Sequence, residues 1–227
     1  MKEENLNMSH SKSGSIEVIV GSMFSGKTEE LIRLLKRAQL ARQNVQVFKP
    51  KIDDRYSADQ VASHNRTLFN STVITRAAEI FQYIRPDTHV IGIDEGQFFD
   101  QELVDVANQL AERGLRVIVA GLDLNYKGEP FHPMPELMAI AENVQKLRAV
   151  CVVCGCLASR TQRVIENESA ILVGDDKSYE ARCRSCFTLD LEQFNHETHE
   201  HESFEEEMLA GELQAFTINS NNARLDS

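Results

Sequence analysis

Gly21-Ser22-Met23-Phe24-Ser25-Gly26-Lys27-Thr28 is the stretch that decides the fold. It fits the pattern G-x-x-x-x-G-K-[ST] without deviation. Glycines permit a tight turn whose backbone N–H groups encircle phosphate oxygens, and a following helix adds the positive end of its dipole. Lys27 then reaches the β- and γ-phosphates, and the Thr28 hydroxyl ligates Mg²⁺. The flanks supply the context that the motif requires. Ile16 to Val20 is rich in β-branched residues and alternates little, as in a strand buried on both faces of a parallel sheet. After the loop, Leu31, Leu34, Leu35 and Ala38 recur at helical spacing, while Arg33, Lys36 and Arg37 face water. All eight residues of the loop are therefore expected to cradle ATP.

Further along, Val45 to Phe48, Val90 to Ile93 and Leu115 to Ala120 read as strands. Between the last two, Leu103, Val106, Ala107 and Leu110 form an apolar helical stripe, and Gly114 is placed to cap its C-terminus. Another helix is predicted to open near Pro135, with Leu137, Ile140, Ala141 and Val144 on its buried side. This alternation implies a mainly parallel sheet with helices on both faces. Val90 to Ile93 runs straight into Asp94-Glu95, as a Walker B acid should. Asp94 is the expected Mg²⁺ holder, and Glu95 is the expected base for an attacking hydroxyl.

All five cysteines fall late in the chain. Cys151-Val-Val-Cys154 and Cys183-Arg-Ser-Cys186 are two C-x-x-C pairs, which tetrahedral Zn²⁺ with four thiolates demands as two facing knuckles. Cys156 is left over. The short β-prone runs between the pairs, Gln162 to Ile165 and Ala170 to Val173, complete the reading as a zinc ribbon in which the metal is structural. A module boundary is expected near Val150. The expected organisation is a flexible N-terminus over 1–15, a nucleotide-binding domain over 16–150, a zinc-ribbon and lid module over 151–194, and an acidic disordered tail over 195–227. The tail carries six glutamates between Glu197 and Glu207, interleaved with His196, His199 and His201.

The formal net charge of -11 argues against a function built on contacts with a nucleic-acid backbone. No run of about 18 apolar residues is present, and residues 1–15 lack an apolar segment. A protein with no membrane or nucleic-acid partner, resident in the cytoplasm, is the expectation.

The P-loop wording with Ser-Met-Phe, Asp94-Glu-Gly-Gln-Phe98, the paired cysteines and Ser178-Tyr179-Glu-Ala-Arg-Cys183 together resemble the thymidine kinases of the tetrameric, zinc-containing type, distinct from the herpesviral enzymes. The match runs in motif order from about Ile16 to Phe194. It implies a P-loop, RecA-like α/β fold and transfer of the ATP γ-phosphoryl group to the 5′-hydroxyl of thymidine or deoxyuridine. Glu95 matches the family's general base. Asp53-Asp54-Arg55 matches a segment that approaches the phosphates, where Arg55 neutralises charge on the transferring group; Gly96 and Gln97 lie in the matching nucleotide-site segment. The resemblance places backbone groups of Ile171, Leu172, Val173 and Gly174 along the base edge, Tyr179 near the sugar, and Tyr126 and Phe98 beside the nucleoside. It also implies a homotetramer and feedback inhibition by thymidine triphosphate. Cys186 stands where some members carry histidine, and either residue can bind zinc.

Two other readings share parts of these motifs. One is a P-loop ATPase that works on nucleic acid through a zinc-ribbon arm, which needs a basic face that this acidic chain does not advertise. The other is a zinc-ribbon interaction module that keeps an inactive nucleotide-binding fold, against which the joint presence of Lys27, Thr28, Asp94 and Glu95 weighs.

Overall fold

Strand β1 (Ser15–Val20) is followed by helix α1 (Lys27–Leu40) in a computed structural model that describes residues 14–51, 69–164 and 178–189. The chain continues through β2 (Val45–Pro50), β3 (Ser71–Ile74), α2 (Ile80–Tyr83), β4 (Val90–Ile93), α3 (Glu102–Glu112), β5 (Arg116–Gly121), α4 (Met134–Ile140) and β6 (Asn143–Lys146). Two short hairpins close the described part: β7 (Ala149–Val150) with β8 (Leu157–Ala158), and β9 (Arg160–Arg163) with β10 (Tyr179–Arg182), both antiparallel. The described residues up to Phe187 belong to one compact unit.

The first six strands make a single parallel sheet in the order β3-β2-β4-β5-β1-β6. Side chains alternate between its faces. Val18, Val20, Ile91, Ile93, Val117 and Val119 pack with Leu103, Val106 and Leu110 of α3 and with Met134 and Leu137 of α4. Ile19, Val90, Ile118 and Ala120 pack on the other side beneath Leu31, Leu35 and Ala38 of α1. Each leucine so buried contributes about 2 kcal/mol, which is why the predicted stripes of α1 and α3 seat where they do. Gly114 adopts φ 86 directly after α3 and returns its N–H to the Ala111 carbonyl, the expected C-terminal cap.

The helix expected from Pro135 is shorter than its apolar period implies. It begins at Met134, leaving Pro135 as its second residue, and stops at Ile140; Ala141 is extended. Leu137 is buried, but Ile140 and Val144 are more than a third exposed. Glu142 N–H donates to the Ile16 carbonyl and the Glu142 carboxylate accepts from Ile16 N–H, which steers the chain into β6 alongside β1. Backbone pairing at the sheet edge thus overrides the helical pattern. Strands β3, β6, β7, β8 and β10 are present that the sequence did not announce, and β10 is the observed partner of β9. Ala170 to Val173, with the N-terminus before Gly14 and the tail, lies outside the described residues. Among the described residues no helix is long and apolar enough to cross a membrane.

Candidate active site and cysteine cluster

Because β5 lies between β1 and β4, three strand ends meet along one edge. Val20 pairs with Gly121 and Ile93 with Val119, so the loop after β1, the loop after β5 and the Asp94-Glu95 pair emerge side by side. Gly26 caps α1 with φ 83, a left-handed conformation that would cost a side chain about 1–2 kcal/mol. Phe24, at φ 63, and Glu95, at φ 55, take left-handed conformations without being glycine. Such strain gathers where surrounding structure fixes a functional backbone.

Within the loop, the Lys27 ammonium and the Ser25 hydroxyl both donate to the Ser22 carbonyl, at 2.9 and 2.8 Å. Ser22 Oγ is buried and has no hydrogen-bond partner among the described residues, as a donor meant for an anion would be. Burial pulls the Lys27 ammonium below its ordinary pKa, against the opposing pull of Glu95, Asp94 and Asp123. Three carboxylates and one lysine therefore share one low-dielectric edge.

Thr28 Oγ1 lies 3.3 and 3.4 Å from the two Asp94 carboxylate oxygens. That is long for a hydroxyl hydrogen bond and close to the spacing of about 3.0 Å between adjacent oxygens around octahedral Mg²⁺. Asp94 is pushed up to about 6, by burial first and by the Glu95 charge second, with Lys49, the Glu95 N–H and Thr28 opposing. A divalent cation would supply the missing countercharge, so these two residues fit the ion.

Glu95 is followed by a 3-10 turn, Gly96–Phe98. The Gln97 amide donates to Glu95 Oε2 at 2.6 Å and its oxygen accepts from Leu122 N–H at 2.9 Å. Phe98 meets Phe131 edge-on at 5.8 Å between ring centroids. Tyr126 lies under the Arg163 guanidinium at 3.8 Å, and Arg163 donates to the hydroxyl of the buried Tyr179 at 3.0 Å. The structure thus draws Tyr126 and Tyr179 together and places Phe98 against the same loop that carries Tyr126. Asp53, Arg55 and Ile171 to Gly174 lie outside the described residues.

Sequence reasoning missed Phe131, Arg163, Thr161 and Asp123. Thr161 Oγ1 accepts from Met23 N–H at 3.1 Å, tying β9 to the phosphate loop. The Asp123 carboxylate is buried, 2.7 Å from Lys146 Nζ. Only Asp123 left a usable signal, as an acid at the end of a hydrophobic strand beside the P-loop strand.

The sulfurs of Cys151, Cys154, Cys183 and Cys186 all lie within 4.8 Å of one another, and those of Cys154 and Cys183 are 3.6 Å apart. Tetrahedral zinc with bonds of about 2.3 Å sets sulfurs about 3.8 Å apart, so the four fit the ion. Burial raises the Cys151 thiol, but hydrogen bonds from the backbone of Cys183, Cys154 and Val153 outweigh it and bring the group down to about 6. Burial and the neighbouring thiols push Cys186 the other way, so four sulfurs cannot all ionise without a cation between them. Cys156, exposed, stands outside the cluster.

A family model described as Thymidine kinase matches residues 14–187. A thymidine kinase of Bdellovibrio bacteriovorus is 60% identical over 174 residues, 77% of this chain and 85% of that protein. One of Bacteroides fragilis is 53% identical over 180 residues, 79% of this chain and 90% of that protein. The matched span holds the P-loop, the Asp94-Glu95 pair and all four clustered cysteines, and the chain belongs to the thymidine kinase family.

Proposed function

We propose that the chain transfers the γ-phosphoryl group of ATP to the 5′-hydroxyl of thymidine or deoxyuridine, with Glu95 as the base. Membership of the family makes it an ATP-dependent phosphotransferase; the residue roles are our reading. The observation that supports it best is the convergence of the P-loop, Asp94 and Glu95 on one edge of the sheet, with two tyrosines gathered by Arg163 beyond them.

The P-loop amides and Lys27 hold the β- and γ-phosphates. Glu95 accepts the proton of the 5′-hydroxyl as that oxygen bonds to the γ-phosphorus and the bond to the bridging β,γ-oxygen breaks, releasing ADP. Thr28 and Asp94 would hold magnesium, which would supply countercharge to the phosphates. Arg55, with Asp53 beside it, is assigned to charge on the transferring group, and Gly96 to the nucleotide side, by family resemblance; Gln97, in the same segment, has both ends of its amide engaged by Glu95 and Leu122. Phe98, Tyr126 and Tyr179 flank the nucleoside, and the backbone of Ile171, Leu172, Val173 and Gly174 reads the base edge. Such reading rejects purines by leaving polar groups unpaired. Cys151, Cys154, Cys183 and Cys186 would hold zinc, which would tie the two hairpins together. A homotetramer, inhibition by thymidine triphosphate and a cytoplasmic site of action complete the reading.

The test is ATP- and Mg²⁺-dependent phosphorylation across a nucleoside panel, with single-stranded DNA as a separate stimulant of ATP hydrolysis. Formation of thymidine monophosphate without purine products is expected. Hydrolysis that rises only with DNA would replace this reading with a nucleic-acid ATPase. Light scattering with and without thymidine triphosphate tests the tetramer and the effector.

A further inference from the structure

The Glu95 carboxylate stands on a residue in the left-handed region, outside any helix or strand, so its own backbone gives it little orientation. Its orientation comes from Gln97, which is 3% exposed. Leu122 N–H can only donate, and at 2.9 Å it fixes the inward end of the Gln97 amide as oxygen. The other end is then NH₂, and it donates to Glu95 Oε2 at 2.6 Å. Reversing the amide would set its oxygen against a carboxylate and its NH₂ against a backbone N–H, losing both bonds. Gly121 leaves the space that the amide occupies: a Cβ there would come within 2.8 Å of Gln97 Oε1. Among the described residues no hydrogen bond reaches Glu95 Oε1.

We propose that Gln97 is a positioning residue that clamps Glu95 through Oε2 and presents Oε1 to the acceptor hydroxyl. The clamp is a neutral donor whose own oxygen is engaged, so it can neither take the substrate proton nor compete for it. The exit of β5, through Leu122, is thereby the rigid element that sets the aim of the base. The proposal rests on Glu95 as the base.

The experiment is a double-mutant cycle on steady-state rates with thymidine and MgATP, using Gln97→Met, Glu95→Gln and the double variant. Gln97→Met is expected to lower kcat roughly 10- to 100-fold, as misplacement of a base by about 1 Å does, while both KM values stay within about two-fold. In the Glu95→Gln background the same change is expected to cost no further activity, because there is no longer a base to aim. A Gln97 that merely anchored the turn would multiply its effect onto that of Glu95→Gln, and that result overturns the proposal, as does an unchanged kcat in Gln97→Met. Full activity in Glu95→Gln alone would instead remove the base assignment on which the proposal stands. If the methionine variant fails to fold, Gln97→Asn takes its place in the cycle, since an amide one methylene shorter cannot reach both Leu122 and Glu95.

Discussion

Replacing Asp94 with asparagine should make the Mg²⁺-free protein more stable while destroying its activity. The carboxylate rises from its ordinary 3.8 to about 6 because burial and the Glu95 charge disfavour its ionised form. A folded-state pKa above the unfolded value means a penalty that grows with pH. Below about pH 4 both states hold the proton and nothing is lost; between 4 and 6 only the folded state holds it; above 6 both are ionised and the full penalty stands. A rise of that size corresponds to a penalty of about 3 kcal/mol. Asp94→Asn removes the charge and keeps an oxygen for the Glu95 N–H, which now donates to Asp94 Oδ1 at 3.0 Å. Urea denaturation of both proteins, dialysed free of Mg²⁺ but without chelator so that zinc stays, should show a gain of about 2–3 kcal/mol at pH 8 and roughly half of it at pH 5. The zinc site is common to both, so its own pH dependence cancels in the difference. With MgATP the order should reverse, since the parent gains more binding energy through the Mg²⁺ that its carboxylate would hold. A variant no more stable than the parent at pH 8, or a gain that is the same at pH 5, would refute the argument.

Glu95→Gln should reduce kcat roughly 10²- to 10⁴-fold and leave ATP binding intact by calorimetry, because the base acts on the nucleophile alone; full turnover would remove Glu95 from the role. Arg163→Met removes a cation–π contact of 3.8 Å to Tyr126 and the hydrogen bond to Tyr179. At about 1–2 kcal/mol together, their loss should raise the thymidine KM roughly tenfold with the ATP KM unchanged, and equal effects on both would move the tyrosines out of the nucleoside pocket. Cys186→Ala should lose the zinc and lower the melting temperature, while Cys156→Ala should keep one zinc per chain by metal analysis; loss of metal in the second variant would contradict the four-sulfur site.

The strand, loop and helix from Ile16 to Ala38 were legible because every cue there is local: a β-branched run, a complete glycine motif and a 3.6-residue stripe. Asp94 and Glu95 were legible from position alone, one step past a hydrophobic run. The edge strands were not. β6 reads Asn-Val-Gln-Lys with all four positions exposed, and Val144 happened to continue the helical period of the preceding segment. What holds β6 is backbone pairing to β1, which leaves no side-chain pattern to read. The same holds for the contacts of Arg163 with Tyr126 and of Gln97 with Leu122. Their partners lie 37 and 25 positions away, and only the fold brings such pairs together.

The segment after β5 carries no recognisable motif, yet it meets several parts of the site. Leu122 holds Gln97, Asp123 pairs with Lys146 and bears on Lys27, Tyr126 lies under Arg163, and Phe131 packs against Phe98. This follows from strand order. A strand between the P-loop strand and the acid-bearing strand must deliver its C-terminal loop between the P-loop and the Asp94-Glu95 pair, so one segment can hold both in register. The β9-β10 hairpin, which leads into Cys183, joins the same network through Arg163 and through the bond from Met23 N–H to Thr161. Thr161 pairs with Ala181, two residues before Cys183, so the backbone that a zinc ion would clamp is one strand away from the P-loop backbone at Met23. A metal on these cysteines would in this way keep the phosphate loop and the tyrosine pair in fixed relation, and the proposed transfer depends on that relation.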